Sequence, residues 1–115
     1  ILKVDIEGDE YNLLKKINTE YKKINLLIIE FHKVSKNINK IKKFILGKKF
    51  KIIHIHANNF GSIDKNSNPN VLEITLINPT KFKTSNLKSN IEYPISGLDF
   101  RNLTRRNDID LKFYD

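Results

Sequence analysis

The segment INLLIIEFH at residues 24–32 constrains the fold more than any other part of this chain. It is apolar and β-branched almost throughout, carries its ionisable side chains only at its end, and is far shorter than the ~18 residues of a membrane span. Such a run reads as a buried strand rather than a loop.

The flanking segments alternate between strand and helix patterns. Residues 1–6 place apolar side chains at 1, 2, 4 and 6 and end in Glu7-Gly8-Asp9, the pattern of a buried strand entering a turn. Asp9 is positioned to cap a helix in which Leu13, Leu14, Ile17, Tyr21 and Ile24 recur at helical spacing. A second helical pattern runs from Ser35 to a stop at Gly47, with Ile38, Ile41, Phe44 and Ile45 on one side. The segment KIIHIHAN at residues 51–58 is a third strand, residues 59–70 are turn-forming, and residues 71–77 are a fourth strand closed by Asn78-Pro79. Strand, helix, strand, helix, strand predicts right-handed crossovers in a parallel sheet, and a last strand joined by a loop most easily returns antiparallel. Residues 1–80 form this unit. Residues 81–115 are polar and irregular and read as a wrapping tail of the same domain, anchored by Tyr93, Pro94, Ile95, Leu98 and Phe100.

Composition narrows the function classes. With 115 residues and 39% hydrophobic content there is material for one domain. There is no secretory leader pattern and no cysteine, which removes disulfides, thiolate nucleophiles and sulfur-ligated zinc, and a cytoplasmic location is the default expectation. The net charge of +8 invites a polyanion partner, but the excess is nearly all Lys, and Ile and Asn are inflated with it, as an AT-rich coding sequence would produce. The charge by itself is therefore weak support for a nucleic-acid partner and is explained as well by solubility, and no membrane partner is expected.

Chemistry gathers at the strand ends, where open parallel α/β sheets bind ligands. Asp5 and Glu7 end the first strand, Glu30 and His32 the second on one face, and His56, Asn58 and Asn59 the third. A carboxylate there is often a partner of a helix N-terminus, and His54, deeper in its strand, reads as structural. Imidazoles beside carboxylates can nonetheless accept and hold a proton near neutral pH. Glu30-x-His32 with His54-x-His56 has the residue types of a metal site, but the spacing is equally that of any polar cleft, so no metal is expected.

Taken together, LKVDIEGDEYNLL, LLIIEFH, IIHIHANNFG, NVLEITLIN and YPISGLDFRN resemble, in this order, the C-terminal half of the FkbM-type methyltransferases, a class I S-adenosylmethionine-dependent family. The block from Lys3 to Glu10 is the most distinctive. The resemblance implies a Rossmann-like three-layer α/β/α sheet, mostly parallel, of which this chain supplies strands four to seven, with residues 71–77 slotted antiparallel between residues 26–31 and 52–57. It implies S-adenosylmethionine as cofactor and a small molecule or sugar as acceptor, the methyl group going to a hydroxyl. Asp5 and Glu7 correspond to the acidic pair beside the transferred methyl, with Asp5 also on the cofactor. Glu30 and His32 join them as catalytic residues, and His56, Asn58 and Asn59 form the acceptor rim. His32 or His56 is the candidate base, with Glu30 orienting it. The family's glycine-rich cofactor loop has no counterpart in this sequence, and is expected about 60 to 100 residues before Ile1 in the parent gene. The competing class is a non-enzymatic basic module for nucleic acid or another polyanion. The strand at residues 1–6, apolar and without the protection of natural edges, predicts a homodimer by edge pairing, an interface with a missing half, or aggregation.

Overall fold

A computed structural model of the chain describes residues 1–47, 49–84 and 90–111. The elements are β1 (Leu2–Val4), α1 (Glu10–Thr19), a 3-10 turn (Tyr21–Lys23), β2 (Leu26–His32), α2 (Val34–Leu46), β3 (Lys51–Ala57) and β4 (Val71–Ile77). They build a four-stranded mixed sheet in the order β1-β2-β4-β3. β1 pairs parallel with β2, and β4 is antiparallel to both of its neighbours, so three strands run one way and β4 the other. The expected insertion of residues 71–77 between the second and third strands is observed. Among the described residues no helix is long and apolar enough to cross a membrane.

The alternation of side chains divides the sheet into two unlike faces. Leu27, Ile29 and Phe31 of β2, Ile74 and Leu76 of β4 and Ile55 of β3 are buried in one cluster with Leu14 and Ile17 of α1 and Ile41 and Phe44 of α2. Both helices therefore lie on this face, and burying a Leu, Ile or Phe side chain contributes about 1.5–3 kcal/mol each. The opposite face carries Ile28, Glu30 and His32, Glu73 and Thr75, and His54 and His56, which the register aligns as cross-strand rows: Glu30 beside Glu73 beside His56, and Ile28 beside Thr75 beside His54. No helix covers it. The tail lies against it instead, with Asp99 Oδ1 3.0 Å from His54 Nε2 and Asp108 Oδ1 3.9 Å from His56 Nε2. The second helical layer of the expected three-layer arrangement is thus absent among the described residues.

Several expectations shift in detail. β1 is three residues long, because Glu7 and Gly8 adopt positive φ (48° and 109°) and turn the chain out of the sheet. Gly8 suits that conformation; Glu7 holds it against its own preference. Ile24 is buried in the turn before β2 rather than in the strand. Asp9 is the residue preceding α1 but makes no side-chain cap; its Oδ1 accepts instead from Asn12 Nδ2 at 3.2 Å. Tyr93, Pro94 and Ile95 are partly buried, whereas Leu98 and Phe100, expected as anchors, are 60% and 74% exposed. The tail is held by polar contacts more than apolar ones. Its segments at 85–89 and 112–115 lie outside the described residues.

Candidate functional site

The strand ends of β1 and β2, the entry of β4 and the exit of β3 enclose a cleft of about 910 Å³. Asp5, Glu7, Glu30, His32 and Asn58 all line it, so five of the seven residues singled out in the sequence converge. They do so because β1 and β2 run parallel in register Val4 to Ile29, which brings the residues just past β1 level with the carboxyl end of β2. Carboxylate oxygens of Asp5 and Glu30 and a ring nitrogen of His32 lie within 4.8 Å of one another.

His32 stands between two carboxylates. Its Nε2 is 3.6 Å from Glu30 Oε1, and its Nδ1, which has no hydrogen-bond partner, is 3.4 Å from Glu10 Oε1. Glu10 is fully buried at the first turn of α1, where its Oε2 accepts from the Gly8 N–H at 2.7 Å and its Oε1 from the His32 N–H at 2.6 Å. Tyr11 donates its hydroxyl to the His32 carbonyl at 2.5 Å. The phenol is pushed up to about 12, first by burial and then by the negative charge of Glu10. One helix turn thus ties the β1 turn to the end of β2. Glu10 and Tyr11 were not among the residues singled out; the sequence signal that pointed to them is an acidic residue in a first helical turn just after a glycine, but nothing in it distinguishes a buried carboxylate from a solvated one.

Glu30 is held from the other side, accepting from Asn58 Nδ2 at 3.1 Å, while Asn58 Oδ1 accepts from the Phe60 N–H at 3.0 Å. Glu73, on β4 directly opposite Glu30, also lines the cleft and was missed, because only strand pairing places it there. Lys3, Lys33 and Lys36 contribute positive charge at the rim. Lys33 sits at φ 51° between β2 and α2, a second non-glycine residue in the left-handed region at the cleft.

His56 and Asn59, expected at the acceptor rim, do not line the cleft. His56 lies on the sheet face covered by the tail and turns toward Asp108. Asn59 is buried and clamps the tail: its Nδ2 donates to the carbonyls of Leu103, Arg106 and Asn107 at 3.0, 3.1 and 3.4 Å, and its Oδ1 accepts from the Leu103 N–H at 2.7 Å. A buried amide with four partners is a structural fastener. His54 likewise pairs with Asp99 and meets Tyr93 edge-on at 5.4 Å between ring centroids. The histidines of β3 therefore do not combine with Glu30 and His32.

No protein-family model, curated protein or solved structure matches this chain.

Proposed function

We propose that this chain is the acceptor-side half of an S-adenosylmethionine-dependent methyltransferase of the FkbM type, one that methylates a hydroxyl of a small molecule or sugar. The observation that carries the reading is the convergence of Asp5, Glu30 and His32 at the carboxyl ends of adjacent parallel strands, in a sheet whose last strand returns antiparallel between its predecessors. That position is where open α/β sheets bind small ligands, and the strand order is the one that the resemblance implies.

S-adenosylmethionine, when bound, supplies an electrophilic methyl group on a positively charged sulfur. The exposed carboxylates of Asp5 and Glu7 at the β1 turn fit such a charge. Toward an acceptor hydroxyl placed in the cleft, His32 would serve as the base that takes the proton at Nε2. Glu30 beside that nitrogen stabilises the imidazolium, and Asn58 keeps Glu30 in place. Glu10 and Tyr11 are positioning residues that fix His32 through its main chain.

The test is methyl transfer from radiolabelled S-adenosylmethionine to a panel of sugars and small alcohols by the full gene product that contains this chain. The expected result is turnover that Glu30→Gln and His32→Ala each lower by ~10²-fold or more in folded protein. Absence of transfer to every hydroxyl acceptor, together with DNA or RNA binding that weakens steeply with salt, would replace this reading with that of a basic binding module.

A further inference from the structure

Going beyond methyl transfer and standing independently of it, we propose that Asp5, Glu30 and His32 form a site for one divalent cation of the manganese and zinc class, open on the cleft side to an oxygen ligand. The first support is geometric. The three donor atoms lie within 4.8 Å of one another, and the Nε2 to Oε1 separation of 3.6 Å is close to the spacing of two ligands on one ion, so small side-chain adjustments close the set.

The second support is the orientation of His32. The buried carboxylate of Glu10 lies 3.4 Å behind Nδ1 and that of Glu30 lies 3.6 Å from Nε2, so the ring stands between two carboxylates, one in the core and one at the cleft. Nε2 is the ring nitrogen on the cleft side, facing Glu30 Oε1. A carboxylate behind one ring nitrogen and an open position before the other is the outer-shell arrangement by which metal-ligating histidines are held. Glu30 has its own outer partner in Asn58.

A third observation concerns charge. Glu30 and Glu73 lie directly opposite on paired antiparallel strands, where like charges destabilise the sheet, and Asp5 and Glu7 line the same cleft. Lys3, Lys33 and Lys36 offset part of that repulsion from the rim, and a cation at Asp5, Glu30 and His32 would offset it at the carboxylates themselves. One imidazole with carboxylates suits Mn²⁺ or Zn²⁺ better than Ca²⁺, which prefers oxygen alone. A ring nitrogen bound to the ion cannot also accept a proton, so ion binding and the proton transfer proposed above are competing uses of His32 Nε2.

The experiment uses the full gene product that contains this chain and two probes. Titration with Mn²⁺, followed by the electron paramagnetic resonance signal of the free ion, should show one equivalent bound with a dissociation constant of about 0.1 mM or tighter, and Glu30→Gln or His32→Gln should weaken it at least 10-fold. In the unsubstituted chain, addition of Zn²⁺ should shift the ring ¹⁵N resonance of His32 Nε2 while those of His54 and His56 stay in place. Absence of stoichiometric Mn²⁺ binding, binding that survives both substitutions, or a Zn²⁺ response at His54 or His56 in place of His32 overturns the proposal. Each readout is independent of turnover, so a protein that binds the ion without methylating refutes only the enzymatic reading, and one that methylates without binding it refutes only this one.

Discussion

Replacing Glu10 by Gln tests whether the architecture of the site depends on one buried carboxylate. In the native protein its two oxygens accept from the Gly8 and His32 N–H groups at 2.7 and 2.6 Å, and the side chain is inaccessible to water. Gln has the same shape but one acceptor, so one of the two N–H groups must face an NH₂. The lost charge-assisted bond costs about 1.5–3 kcal/mol, and the retained one weakens to about 0.5–1.5 kcal/mol. Loss of a negative charge at the N-terminus of α1 adds about 0.3–1 kcal/mol, while burying a neutral amide is cheaper than burying a carboxylate. The net expectation is a destabilisation of about 2–4 kcal/mol, a large part of the ~5–15 kcal/mol available to a domain of this size, or roughly 10 °C in Tm. Urea denaturation followed by far-UV circular dichroism gives the number, with an unchanged slope showing that the unfolded state is not responsible. Asp9→Asn is the control: Asp9 is exposed and makes no side-chain cap, so its replacement should stay within about 0.5 kcal/mol of wild type. If Glu10→Gln were neutral and Asp9→Asn costly, the assignment of the helix-start role to Glu10 would be wrong.

Two further outcomes follow from the same contacts. Asn59→Ala removes the amide that binds three tail carbonyls and leaves the Leu103 N–H without its partner, so it should loosen the tail by about 2–4 kcal/mol and raise hydrogen exchange and proteolytic cleavage around residues 99–111, while amides of β2 and β4 remain protected. Tyr11, pushed up to about 12 in the folded protein, holds its proton longer there than in the unfolded chain, so its contribution is fully present below about pH 10 and fades as pH rises from 10 through 12; alkaline titration at 295 nm should show a late-titrating phenol that Tyr11→Phe removes.

Local pattern placed the elements more reliably than their ends or faces. The apolar run ending in Glu30 and His32, two helices and the fourth strand at Val71–Ile77 are observed, because burial of an apolar stripe or run is written into residue spacing; yet the first helix ends at Thr19, with Tyr21 in a 3-10 turn and Ile24 just after it, and Leu13 and Ile38, expected on the buried stripes, are exposed. The convergence of Asp5, Glu7, Glu30, His32 and Asn58 was legible for the same reason, since parallel strands place their carboxyl ends together. What the tertiary structure alone decided is which partner each polar group finds. Glu10 reads in sequence as one more acidic residue at a helix start; it is buried because α1 packs its first turn onto the end of β2. Glu73 enters the cleft only through its pairing with Glu30. His56 and Asn59 differ from Asn58 by one or two positions, yet the tail claims them through Asp108 and the Leu103 to Asn107 turn, contacts more than forty residues away in the chain. Periodicity reports which face of an element a residue occupies, and only the folding of distant segments over that face determines whether the residue meets solvent, a ligand or the protein itself.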